Sequence, residues 1–257
     1  MDRETSLMLQ RNVKQTFRHR LAVFTMLTAS LLVASPQVTL ADSEKAETVD
    51  QGAANMEAAA QNAAAMVQDA TATLASMLER PRFARVMKSA KGLIIFPSLL
   101  KAGYFVGGKS GSGILVLKNN DGTWTYPAFY QVTGGSFGLQ IGASISQVVI
   151  AMMTDKAVSA AIDGNIELGG EIGVAIGPAA VDAGIDTNFD MLTFTISNGL
   201  FAGVALDGST ITKSTRRNQA FYSPQTSTKD ILVEQTAHNP LASGLLDVLA
   251  RASATGG

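Results

Sequence analysis

The sequence predicts an α+β protein, predominantly antiparallel β, in which a Gly-rich sheet or barrel-like sandwich packs with N-terminal helices. Three observations predict it. Residues 46–79 are Ala-rich, with no Pro and one Gly, which favours helix throughout. Twenty of the 24 glycines then lie between Gly92 and Gly208, where the apolar period changes from 3.6 to 2. Turn dipeptides recur there: Asp121-Gly122, Asn198-Gly199 and Asp207-Gly208 separate apolar runs and supply the positive φ of tight hairpins.

Within 46–79, Val49, Ala53, Met56, Ala60, Ala63, Val67, Ala70, Leu74 and Met77 alternate in steps of four and three. This heptad seam is mostly alanine, so it predicts a helix docked on its own domain rather than a strong zipper, which would use larger residues. Pro81 ends the run and suits the first position of a new helix. In residues 81–91, Phe83, Val86, Met87 and Ala90 share one face. Arg82, Arg85, Lys88 and Lys91 occupy the other, and Arg80 joins them with no acid between. A basic amphipathic helix is the pattern of a membrane-surface segment; an ordinary helix with solvated charges has the same pattern.

From Gly92 onward, Phe137–Ile145 and Ile166–Ile176 alternate as half-buried strands. Ile114–Leu117 is a continuous apolar run suited to a strand covered on both faces. Roughly eight to ten strands are expected from the spacing of turns, with one helix near residues 154–162.

Residues 1–41 read as a secretory signal. Arg11, Lys14, Arg18 and Arg20 precede an uncharged apolar stretch, 21–34, and Thr39-Leu40-Ala41 places small residues at the exit. An uncleaved anchor is the alternative, but the apolar run is shorter than the ~20 residues a span needs. The expected organisation is a signal peptide at 1–41 cleaved after Ala41, an Ala-rich helical segment at 42–80, a Gly-rich β domain with a basic entry helix at 81–223, and a partly helical tail at 224–257. The product is expected to be exported, and either periplasmic or peripherally membrane-associated.

Composition removes several chemistries. There is no Cys, which excludes disulfides, thiolate metal sites and thiol nucleophiles, and only His19 and His238 are present. A net charge of −1 carries no nucleic-acid footprint. No cofactor, metal or nucleic-acid partner is expected.

Two motifs match only literally. Residues 103–110, GYFVGGKS, fit G-x-x-x-x-G-K-[ST], but strand patterns stand on both sides where a phosphate loop requires a helix after its Lys-Ser. They read as a Gly-rich hairpin turn in which Lys109 meets a lipid phosphate. Residues 134–138, GGSFG, fit the nucleophile elbow, yet LQIGASISQ continues as strand rather than helix. Asp182, Asp186 and Asp190 lack calcium-loop spacing and read as solvated loop acids.

The ordered segments AKGLIIFP (90–97), KAGYFVGG (101–108), GSGILVL (111–117), WTYPAFY (124–130), GGSFGLQIGA (134–143), ELGGEIGVAIGP (167–178), SNGLFAGVALDGSTI (197–211) and NQAFY (218–222) resemble the SYLF-domain family. The resemblance covers roughly Ala46 to Ser223. It implies binding of lipids, phosphatidylinositol phosphates among them, and in fungal members binding and bundling of actin. In some members an N-terminal amphipathic helix takes part, and the matching segment is Pro81–Lys91. Some bacterial relatives are lipoproteins, from which this chain departs in having no Cys.

Three functions follow. The first is a non-enzymatic lipid-binding envelope protein that uses Arg80, Arg82, Phe83, Arg85, Lys88, Lys91, Lys101, Lys109, Lys213, Arg216 and Arg217 against an anionic phospholipid or membrane surface. The second is a structural, self-associating envelope protein, motivated by the seam at 49–77 and by strand edges. The third is a hydrolase centred on Ser136.

Overall fold

A computed structural model describes residues 40–254 except 105, 138–141, 185, 198–199, 203–205 and 207. Apart from Leu40 and Ala41, the expected export segment lies outside the described residues. Helix α1 (Leu40–Leu78) is the Ala-rich run, and α2 (Pro81–Ser89) begins with Pro81 in its first turn.

Nine strands follow: β1 (Gly92–Tyr104), β2 (Val106–Leu117), β3 (Ala128–Phe137), β4 (Gly142–Met152), β5 (Asn165–Leu168), β6 (Val174–Ile176), β7 (Met191–Ser197), β8 (Leu200–Ala202) and β9 (Ser209–Lys213). Among the described residues five further α-helices accompany them: α3 (Asp155–Asp163), α4 (Gly177–Ala183), α5 (Thr215–Phe221), α6 (Thr228–Leu232) and α7 (Ser243–Ala254). Helix α3 is capped by Thr154, whose hydroxyl accepts from the Ala157 amide, and ends at Gly164 with φ 80°.

The strands form one sheet in the order β5-β9-β3-β2-β1-β4-β7-β6, with β8 on β7. Every pairing is antiparallel except β6 with β7. The edge strands β5 and β6 are consecutive in the chain and meet at an isolated Leu168–Ile172 bridge, which brings the sheet nearly to closure as a barrel. The predicted fold class therefore stands.

Each face carries a buried cluster in Glu47–Gly257, a single unit by its contacts. One cluster, which includes Ile94, Phe96, Leu115, Tyr130, Val148, Ile150 and Ile211, fills the inner face against α3 and α6. The other, which includes Leu93, Ile95, Ile114, Val116, Phe129, Val149 and Phe194, packs outward against α1, α2 and α7. Ile114–Leu117 alternates between the two clusters, as its unbroken apolar run requires. Polar ties cross the layers. The Tyr130 hydroxyl donates to the Ala161 carbonyl at 2.6 Å, Trp124 Nε1 donates to Ser253 Oγ at 3.0 Å, and buried Asn218 accepts from the Phe129 amide at 2.7 Å.

Three expectations are corrected. The alternation across 166–176 is not one strand: Gly169, at φ 83°, turns the chain, and its halves β5 and β6 occupy opposite ends of the strand order. The alternation across 137–145 joins the end of β3 to the start of β4. Residues 124–127, set off as an apolar run by Asp121-Gly122, form no strand: the Lys118–Trp124 bridge and the Thr125 amide donating to the Leu117 carbonyl tie them to β2, and Pro127 has no amide to extend a ladder.

The heptad seam docks from Ala63 onward. Ala63, Val67, Ala70, Leu74 and Met77 are buried in the outer cluster, whereas Met56 is exposed. The self-docking reading thus accounts for the second half of the seam, and those positions are not available to a zipper.

Candidate functional site: a basic helix face and an open groove

Helix α2 has two chemistries on two sides. Phe83, Val86 and Met87 recur at one face and are buried, with the Phe83 ring edge-on to Phe194 at 5.1 Å. Arg82, Arg85 and Lys88 are exposed on the other face, and Arg80 is half-buried at the N-cap. Arg82 pairs with Asp182 at 2.6 Å, with both side chains about half exposed, so Asp182 is an ion-pair partner rather than a free loop acid.

The burial changes how this helix can meet a membrane. Each fully buried apolar side chain contributes about 1.5–3 kcal/mol, so freeing all three would cost roughly 5–9 kcal/mol. That is comparable with the whole stability of a typical domain, about 5–15 kcal/mol. Phe83, expected at the lipid surface, is a core residue here. The basic face remains presented, without insertion of the apolar one.

At the C-terminal end of α2 the basic surface continues into a cleft of ≈ 430 Å³ that includes Lys88, Lys91, Lys118, Asn119, Asn120 and Asp155. Lys91 pairs with Asp155 at 2.7 Å. Lys118 donates to the Lys88 carbonyl at 3.3 Å and stands 5.9 Å from the Trp124 ring centroid. Lys118 was missed by sequence reading. It lies at the end of a strand pattern, and the return of β2 along β1, with the Lys118 amide donating to the Lys91 carbonyl at 2.9 Å, brings it beside Lys88.

The remaining predicted cations lie elsewhere. Lys101 and Lys109 are cross-strand neighbours on β1 and β2. Lys109 is 7% exposed and sits within β2, not in a loop, so it is not a surface phosphate contact. Lys213 is exposed at the end of β9, stacked over Gly164. Arg216 is exposed and Arg217 half-buried on α5, where Arg217 donates to Ser214 Oγ at 3.3 Å. The eleven candidates therefore do not form one site.

Arg216 and Arg217 instead belong to an open groove of ≈ 850 Å³ between α1 and the outer face of the sheet. Its roof includes Asn55, Ala59, Asn62, Met66 and Asp69, and its floor is the register row Ser98–Ser112–Gln131, with Ser214 beyond. The glycine-rich distal sheet leaves this face open. Leu100 and Ile145, cross-strand partners two residues further along β1, are 44% and 62% exposed.

The literal motifs fail in three dimensions. GYFVGGKS forms the β1–β2 hairpin, and no helix opens at Lys109-Ser110. Ser136 lies at the far end of β3, paired with Gly107, and the strand β4 comes next in the chain. His238 stacks edge-on to Tyr126 at 4.9 Å, before β3 begins. At about 3.3 Å per strand residue the two are on the order of 25–30 Å apart, so no Ser–His pair forms.

Asp190 lies in a loop, just before β7, but is not freely solvated. It accepts from Thr154 Oγ1 at 2.6 Å and from the Gly173 amide at 2.9 Å. Desolvation opposes its ionisation, but those two bonds and the charge of Lys156 outweigh it and hold the carboxyl below its ordinary range. Among the described residues no group of three or more His, Asp or Glu is placed to hold a metal ion. No helix among them is long and apolar enough to cross a membrane.

The fold and surface define a class: a two-faced, nearly closed, mostly antiparallel sheet clasped by helices, with a basic helix face. Residues 133–252 match the family model described as Ysc84, Las17-binding protein actin regulator. The chain is 34% identical over 171 residues to SH3 domain-containing YSC84-like protein 1 of Homo sapiens, covering 65% of this chain and 50% of that protein. It is 34% identical over 171 residues to Protein YSC84 of Saccharomyces cerevisiae, covering 64% and 36%. It is 35% identical over 171 residues to SH3 domain-containing protein PJ696.02 of Schizosaccharomyces pombe, covering 64% and 40%. Through residues 133–252 the chain carries a match to the Ysc84/SYLF family domain, and the relatives it resembles are YSC84-like proteins. It spans about half the length of the human relative and less of the yeast ones.

Proposed function

We propose that the domain is a non-enzymatic module that docks peripherally on anionic phospholipid surfaces through the exposed face of α2 and the lysines beside it. One observation carries this reading: Arg82, Arg85 and Lys88 project from a helix whose apolar face is held in the core, with Lys91 and Lys118 extending the same basic surface. Basic side chains near an anionic surface contribute about 1 kcal/mol each, falling off within a Debye length. Two of the five are partly neutralised, Arg82 by Asp182 and Lys91 by Asp155. Binding is therefore modest, salt-sensitive and indifferent to acyl chains.

Charge reversal tests this. Arg82→Glu, Arg85→Glu and Lys88→Glu together should reduce co-flotation with phosphatidylglycerol vesicles by about tenfold or more at low salt. Neutral vesicles should bind neither form, and the thermal midpoint should change little. Undiminished flotation of the triple variant sinks the reading.

The family description favours a second partner class. Relatives described as actin regulators point to an acidic protein surface meeting the same cations. Salt-sensitive co-pelleting with filamentous actin, without vesicle binding, would transfer the basic face to that partner. Export belongs to the proposal too, supported by the basic, apolar and small-residue order of 1–41. Chain recovered from an envelope fraction should lack those residues by intact mass; recovery at full mass from the cytosol would refute export.

A further inference from the structure

The groove beneath α1 presents three chemistries in a line. At one end Arg216 is exposed and makes no ion pair among the described residues, with Arg217 beside it, fixed through Ser214. The middle is a row of short polar side chains, Ser98, Ser112 and Gln131, on three adjacent strands, continued in register by Thr212 of β9. At the other end the open face passes to the exposed pair Leu100 and Ile145. Adjacent strands lie about 4.8 Å apart, so the row from β9 to β1 spans roughly 14 Å. The roof above it sets the apolar Ala58, Ala59, Ala65 and Met66 among Asn55, Asn62 and Asp69. Asp69 also borders the groove and leaves its lining with one net positive charge.

We propose that this groove holds one single-chain anionic phospholipid: phosphate on Arg216 and Arg217, ester and glycerol oxygens along the Ser98–Ser112–Gln131 row, and acyl chain under Ala59 and Met66 towards Leu100 and Ile145. The order of cation, hydrogen-bonding row and apolar exit is the order of parts in such a molecule. Its volume of ≈ 850 Å³ falls within the range of small-molecule sites. Guanidinium groups pair with phosphate in a forked, charge-assisted geometry. The exposed Leu100–Ile145 pair, otherwise an uncovered apolar patch on a sheet, gains a covering chain. The inference rests on the lipid reading only for the class of ligand. The groove is a different place from the α2 face and takes a monomer rather than a surface.

The test is calorimetric titration of the full chain with lauroyl lysophosphatidate below its micelle concentration. Saturable binding to one site is expected, weakened about tenfold or more by Arg216→Gln with Arg217→Gln and by Ser98→Trp, which fills the exposed floor. Arg85→Glu with Lys88→Glu should leave this titration unchanged while lowering vesicle flotation. Circular dichroism and the thermal midpoint exclude misfolding, and Gln131→Trp is a second blocking variant if Ser98→Trp does not fold. Inorganic phosphate binding as tightly as the lipid would overturn the proposal by leaving the acyl chain without a role. So would binding that survives both the arginine and the floor variants, or no saturable binding at all. A parent chain that titrates saturably but floats with no anionic vesicles would sink the surface reading alone, and a parent chain that floats without titrating would sink the groove.

Discussion

Phe83→Ala should lower folding stability by about 3–5 kcal/mol, the usual cost of emptying a buried phenylalanine site. In a chain of this size that is a fall of roughly 10 °C in the thermal midpoint. The ring is fully buried, edge-on to Phe194 at an interplanar angle of 78°. Such pairs contribute about 0.5–1.5 kcal/mol beyond area burial. The surroundings cannot collapse easily into the space. Phe194 is held in β7, and Gly177, at the start of α4, lies so close over its ring that an added Cβ would strike it. The experiment separates two roles for one residue. As a core residue, Phe83 lowers the midpoint when truncated, while the folded fraction still floats with anionic vesicles. As a lipid-entering residue it would do the reverse. An unchanged midpoint with lost flotation would show that α2 leaves the core to bind, and would overturn the docked-helix account.

This residue also marks the limit of the sequence pattern. A wheel with Phe83, Val86 and Met87 on one side and arginines on the other states that the helix has an apolar partner, not which one. Membrane and protein core are equally apolar, and only packing against Phe194 decides. Much else was legible. Pro81 set the start of α2, Thr154 and Gly164 bracket α3, Gly122 turns with φ 86°, and Ile114–Leu117 is covered on both faces. Those features are local, fixed by the few residues that make them. The candidate site was less legible because it depends on distant contacts. Arg216 shares a groove with Asn62 and Met66 across some 150 residues of chain, and Lys118 meets Lys88 only because β2 returns along β1. Faces are not legible where the register shifts. An alternating pattern assigns sides only until a bulge inserts a residue.

The decisive shift lies between Ile95 and Ser98, and it yields the second large prediction: Gly113→Ala should cost at least about 3 kcal/mol. Ile95 pairs with Ile114 and Ser98 with Ser112, so Gly113 alone stands opposite Phe96 and Pro97. That is a bulge, two residues against one. A Cβ on Gly113 would collide with the Ile95 carbonyl oxygen and lie 2.7 Å from Phe96 Cδ1. The first obstacle is backbone, which no rotamer change relieves. Gly135→Ala is the matched control. It lies on neighbouring β3, its added Cβ meets nothing within 4 Å, and it should be neutral or slightly stabilising, since Gly in a strand costs about 0.5–1 kcal/mol against Ala. Chemical denaturation of the two variants reads the difference directly. Function hangs on the same point. Before the bulge Phe96 faces the inner cluster, and after it Leu99 does, so Ser98 and Leu100 are delivered to the outer face and Lys101 to the inner one. Without the extra residue those sides would exchange, Lys101 would point outward, and the row beneath α1 would lose Ser98. A Gly113→Ala variant within 1 kcal/mol of the parent chain would mean that the bulge, and the groove floor it sets, are not as described.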